Sequence, residues 1–230
     1  MQSLHFTAEP SSNGMVERDF TVGDVPGILW SPASGADRAP PWPIRTRGAH
    51  KKHLAMVGRA HSLVTGCGFH VAVIGAHDKQ EIAELRKARA AGELEGPIIV
   101  RYNARLAEFA VPEWQATPDA LQELPEIGAD GPVGYVGIDL GTDRVPLVAI
   151  EPRITAAAFG LMWPDDLVEK AKQITVPIEF DMQWDNERIP REATLALFDA
   201  FASKEKTLHA NAGKHMELPR FEADSAVRGP

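Results

Sequence analysis

The chain has 230 residues, 44% of them hydrophobic, which suffices for one full core and falls short of two, so residues 1–230 are expected to form a single domain. A formal net charge of −8 argues against nucleic acid or an anionic membrane as the main partner, because either favours a basic face. The lone Cys67 excludes an intrachain disulfide and suits a reducing, cytoplasmic setting, and neither a leader-like N-terminus nor an uncharged apolar run of roughly 18 residues is present.

In chain order, Glu17 to Val22 and Val25 to Trp30 read as two strands around Gly23-Asp24, an antiparallel hairpin. Residues 32–47 are expected as loop, since Pro40, Pro41 and Pro43 withhold amide donors that a central strand needs. Met56 to Thr65 has helical apolar spacing with Gly66 and Gly68 placed to end it, and His70 to Ala76 is an apolar run suited to a buried parallel strand. Lys79 to Ala91 and Ala104 to Leu124 read as helical, the second broken by Pro112 and Pro118. Residues 134–149 read as strand, tight glycine turn, then helix. Ile154 to Met162 and Val176 to Met182 are further strands, separated by a short helix over Asp165 to Gln173. Arg191 to Phe201 has helical periodicity, Thr207 to Ala210 is a short strand, and a last helix begins near Leu218. Strands alternating with helices predict an α/β fold, a doubly wound and mostly parallel sheet of about eight strands. Between Trp163 and Val176 there is room for about one short helix, so no large cap domain is expected.

The sharpest local signal is Gly137-Ile138-Asp139-Leu140-Gly141, directly after an apolar strand and before a helix. On a strained strand-to-helix turn the neighbours two residues away must be small, and glycines at both places meet that need. The amides at the start of the following helix favour an anion there, either the Asp139 carboxylate or charge developing on a substrate. A second reading is a glycine-rich turn with Asp139 as the helix N-cap. Further along, Asp185 lies just past the strand ending FDMQW and His215 lies in the loop NAGKH past TLHA. Nucleophile, acid, histidine is the chain order of α/β-hydrolase triads, and open sheets place their chemistry at carboxyl-terminal strand ends. Asp185 has the alternative of capping the helix near Pro190, and His215 that of being one of eight histidines with no role.

From Tyr135 to Ala226 the chain resembles small bacterial α/β-hydrolases similar to dienelactone hydrolases, in GYVGIDLGT, LVAIEPRITAAAFGLMW, QWDNERIPREATLALFDAFASKEKTLHANAGKH and ELPRFEADSA. The resemblance implies the α/β-hydrolase fold, the nucleophile position at Asp139, the triad acid at Asp185 and the triad histidine at His215. Two departures stand out. Relatives read G-x-S-x-G where this chain has aspartate, and their apolar strand with a His-Gly-Gly type oxyanion loop is replaced by PPWPIRTRGAHKKH, which keeps Gly48 and the run His50-Lys51-Lys52-His53.

A carboxylate attacking an ester gives a mixed anhydride and is a poor nucleophile at that centre, so ordinary esterase chemistry through Asp139 is disfavoured. Displacement at saturated carbon suits it, as in opening an epoxide or removing halide, with His215 then activating water and Asp185 orienting the imidazole. Leu140 stands where such dehalogenases carry a halide-binding Trp, and the only tyrosines are Tyr102 and Tyr135, not the cap pair of epoxide hydrolases. Trp163 and Trp184 at strand ends are candidates to line a substrate pocket, against the alternative of core or rim. His50 and its basic neighbours are candidates for an anionic substrate group, against that of a solvated turn. His70 and His77 flank an apolar strand and read as structural. No HExxH, CxxC, Walker loop or dinucleotide fingerprint occurs, so no metal or other cofactor is expected.

The expected function is an atypical, cofactor-independent hydrolase of a small organic substrate through Asp139, His215 and Asp185. A non-hydrolytic enzyme on the same scaffold (epimerase, isomerase or cyclase), or a catalytically inactive binding relative, is the alternative. A homodimer stays open.

Overall fold

The computed structural model describes residues 4–8, 11–12, 14–33, 42–45, 54–75, 87–88, 91, 111–138, 145–161, 167–215 and 217–219. The strands are β1 (Leu4–Ala8), β2 (Ser11–Ser12), β3 (Met15–Val22), β4 (Val25–Pro32), β5 (Trp42–Arg45), β6 (Val71–Ile74), β7 (Val133–Ile138), β8 (Ile154–Gly160), β9 (Ile178–Gln183) and β10 (Lys206–Asn211). Helices are α1 (Leu54–Cys67), α2 (residues 111–121), α3 (Val145–Ile150), α4 (Val168–Ala171) and α5 (Arg191–Ala200).

The strands form one sheet in the order β1-β3-β4-β6-β5-β7-β8-β9-β10, with β2 paired to β3. Pairing is antiparallel from β1 to β6 and parallel from β6 through β5 to β10. The expected hairpin is present as β3 and β4, with Val22 opposite Val25 and Gly23 at φ 56. A glycine takes that left-handed conformation without the Cβ penalty other residues meet.

Side-chain alternation sends the core to both faces of the sheet. Ile28 and Trp30 of β4 and Val71 and Val73 of β6 pack with Ala60, Leu63 and Val64 of α1. Leu29, Ala72 and Ile74 join the larger cluster on the other side, with Tyr135, Phe159, Phe180 and Leu197. Through that cluster runs an aromatic chain. Trp114 meets Tyr135 edge-on at 5.5 Å, Tyr135 lies 5.7 Å from Phe159, and Phe201 stacks on Phe159 at 5.5 Å.

Three expectations change. The proline-rich stretch expected as loop contains β5, which lies between β6 and β7 inside the parallel half. Only Pro43 falls within this four-residue strand, so the ladder loses a single amide donor there. Pro118 does not break α2, which runs through it, whereas residues 104–110 ahead of Pro112 lie outside the described residues. Thr117, just before Pro118, returns its hydroxyl to Glu113 O at 2.9 Å. The sheet has ten strands rather than about eight, because the polar start supplies β1 and β2. Residues 217–219 are not helical, and the rest of the expected last helix lies outside the described residues, as does most of the helix expected over Lys79 to Ala91, of which 87–88 are helical.

Candidate functional site

The carboxyl-terminal ends of β9 and β10 are joined beyond the sheet proper. Trp184 N donates to Asn211 O at 2.7 Å and Asp185 N to Gly213 O at 3.2 Å, carrying the parallel pairing two residues into the loops. Gly213 takes φ 134, a conformation open to glycine, and turns the chain toward His215. Three further bonds fix that turn. Gln183 Nε2 donates to Lys214 O at 3.2 Å, Lys214 N to Glu217 Oε2 at 2.9 Å, and His215 N to Glu187 Oε2 at 2.9 Å. The last of these, first among several causes, holds the Glu187 carboxyl below the usual carboxylate range.

His215 is 5% exposed, and its Nδ1 lies 3.1 Å from Asn186 Nδ2. Asn186 is itself held from its other side, where its Oδ1 accepts Arg188 N at 3.0 Å and Ile189 N at 3.1 Å. The expected orienting acid, Asp185, has a side chain 64% exposed, with Oδ1 3.8 Å from Arg191 Nη2. The structure therefore brings Asn186, the residue after the expected acid, onto the imidazole. Of these two adjacent residues on the turn, the side chain within hydrogen-bond distance of His215 Nδ1 is the amide of Asn186.

Trp184 is 41% exposed, with the Arg191 guanidinium 4.0 Å over its ring and donating to its carbonyl oxygen at 2.8 Å. It stands at the rim of this end of the sheet. Asp139, Leu140, Gly48, His50, Trp163 and His77 lie outside the described residues. Strand β7 ends at Ile138 and α3 starts at Val145, so the residues bracketing the expected turn have the strand and helix that were expected of them.

Two further polar clusters among the described residues lie within or against the sheet. At the start of β6, His70 Nδ1 lies 3.0 Å from Ser31 Oγ, which accepts from Arg18 Nη2 at 3.1 Å, and Arg18 pairs with Glu126 at 2.7 Å. Burial is the main cause that lowers the His70 pKa, with the Arg18 charge adding to it against the opposing pull of Glu126. This agrees with the structural role expected of His70.

On β9 and β10, Glu179, Asp181 and His209 present donor atoms within 4.8 Å of one another, with His209 opposite Asp181 in register. An imidazole with two carboxylates is a donor set suited to a divalent ion such as zinc. No sequence motif announces it, because the donors come from two strands brought side by side only by folding.

No protein-family model matches the chain, and no curated protein matches it. Among solved structures, the chain is similar to a polyethylene-glycol-bound complex of a cold-adapted esterase from an Arctic intertidal metagenomic library. That likeness has 27% identity over 96% of this chain and 94% of that one, with a TM-score of 0.78. Acetyl xylan esterase 1 from Thermoanaerobacterium is similar at 13% identity over 100% of this chain and 87% of that one, TM-score 0.69. Dienelactone hydrolase from Anabaena variabilis is similar at 14% identity over 94% and 95%, TM-score 0.66. The chain has the α/β-hydrolase fold, with no large cap among the described residues.

Proposed function

We propose that this chain is a cofactor-independent hydrolase of the α/β-hydrolase type acting on a small organic substrate, with Asp139 and His215 as its reacting pair. The observation that carries this reading is the placement of His215. A buried imidazole, braced through its ring and its backbone, stands just past the carboxyl-terminal edge of a parallel sheet, where such sheets hold their ligands. Likeness to esterases and a dienelactone hydrolase supports small ester-like or otherwise hydrolysable substrates. Aspartate at the elbow narrows the chemistry to displacement at saturated carbon. An Asp139 oxygen forms a bond to carbon as the carbon–oxygen bond of an epoxide or the carbon–halogen bond breaks. Water then adds to the carbonyl of the resulting ester and releases the alcohol, leaving its oxygen in Asp139.

Panels of short esters, epoxides and haloalkanes tested on the wild type, Asp139→Ser and His215→Ala check this. Turnover of epoxide or haloalkane by the wild type, with solvent oxygen-18 entering Asp139 over repeated cycles, is the expected result. Ester turnover confined to Asp139→Ser would locate an intact scaffold with altered chemistry. The asparagine on Nδ1 favours a second reading, a non-hydrolytic or binding relative, and small-molecule binding without turnover by any variant would select it.

A further inference from the structure

We propose that Asn186 is a positioning residue that holds neutral His215 with its proton on Nε2, so the imidazole enters the site as a hydrogen-bond donor and not as a base. The inference deepens the reading of His215 above and rests on it for its place in a reaction, though not for its geometry.

The end of the Asn186 amide that faces the ring decides the tautomer. An asparagine side chain has one accepting end and one donating end of nearly equal shape, and its neighbours decide which way it faces. Arg188 N–H and Ile189 N–H both converge on the same atom, at 3.0 Å and 3.1 Å. Two backbone amides donate only, so the atom they meet must be the oxygen. Turning the amide over would set its NH₂ against both donors and its oxygen toward His215. The backbone of the 186–189 turn thereby fixes the amide with Nδ2 toward the histidine, 3.1 Å from Nδ1. A group that donates to Nδ1 requires a lone pair there. In the neutral ring that leaves the single proton on Nε2.

The location of the ring makes the choice matter. His215 is nearly solvent-free, so water does not readily replace a mismatched partner at Nδ1. Its backbone is tied to Glu187 and its loop to Gln183, which fixes where the ring sits, and close packing around it opposes turning the ring over to exchange its nitrogens. An aspartate at 186 would present the same shape and the same acceptor to Arg188 and Ile189. Its second oxygen would accept Nδ1–H and bare the lone pair of Nε2, which is the arrangement a general base needs. Asparagine and aspartate here differ in one atom and give opposite tautomers. In a serine-protease triad whose aspartate is changed to asparagine with geometry intact, the wrong tautomer costs about 10⁴-fold in turnover. For the present chain the displacement step at Asp139 does not need a base. The water-consuming step does, so the ester on Asp139 should accumulate.

Long-range proton–nitrogen NMR of the nitrogen-15-labelled full chain reads the tautomer directly at a pH where His215 is neutral, with its signals assigned by their loss in His215→Ala. The wild type is expected to show a protonated Nε2 and a bare Nδ1, and Asn186→Asp the reverse. A wild-type spectrum with the proton on Nδ1 overturns the inference without any variant, so a failure of Asn186→Asp to fold does not shield it. The same tautomer in both proteins also overturns it. For any substrate processed through an Asp139 ester, Asn186→Asp should speed release of the alcohol by up to about 10⁴-fold. A tautomer that switches while neither protein turns over any substrate upholds the role of Asn186 and overturns the hydrolytic reading.

Discussion

His70 and His215 are both nearly solvent-free, and each has a fixed partner at Nδ1, yet the partners act on them in different ways. At His70 burial lowers the pKa, so the folded chain keeps that ring neutral where the unfolded chain, with its value near 6.5, begins to take up protons. Stability from the neutral ring is complete above about pH 6.5 and is lost as pH falls toward the lowered folded value. Thermal melts of the wild type should therefore drop across that interval, and the drop should shrink in His70→Asn, which cannot titrate. An equal drop in both proteins would assign the acid sensitivity elsewhere. At this scale the sequence disclosed residue types and chain order but not partners. The place of His215 past a strand end was legible, because the apolar run that ends before it forms β10. Asn186 was not, because an uncharged amide beside an aspartate carries no signal until the turn shows which side chain faces the ring.

Elements were more legible than contacts, since apolar runs and glycine turns act locally. The hairpin of β3 and β4, helix α1, and strands β6, β8, β9 and β10 all lie where apolar periodicity places them, with ends moved by a few residues. Strand β5 was hidden by its prolines, and its place in the sheet is a matter of neighbours on both sides. Glycine has a steric duty between β8 and β9. Gly160 lies opposite Asp181, and a Cβ on Gly160 would overlap the Asp181 carbonyl oxygen and come within 2.8 Å of Asp181 Cβ. Backbone and a buried side chain cannot step aside there cheaply. Gly160→Ala should destabilise the chain by about 1–3 kcal/mol, as overpacking does. Denaturant titration measures this, and a change within about 0.5 kcal/mol would show that the two strands can part without cost.

For the molecule as a whole, the aromatic chain joins α2 to β7, β8, β9 and the residue that follows α5. Phe180 is fully buried among these rings, 5.9 Å from Phe201 and 6.0 Å from Phe198. Phe180→Ala removes a ring that its neighbours cannot replace without moving several others. The expected loss is about 3–5 kcal/mol, with a fall in Tm on the order of 10 °C. Calorimetry would detect it, and a Tm unchanged within error would mean that the cluster closes over the gap.

Strand β5 also dictates a timetable. Its partner β7 begins at Val133, opposite Trp42, and its other partner β6 ends at Ile74, so the sheet stays in two pieces until the ends of the interval 75–132 are brought together. The hairpin of β3 and β4 closes within a few residues and can form at once, whereas this seam must meet its loop entropy before any ladder bond rewards it. Refolding should accordingly proceed through an early amino-terminal hairpin and a late joining of the two halves. A backbone nick anywhere between them would turn that last step from a first-order search into a concentration-dependent encounter.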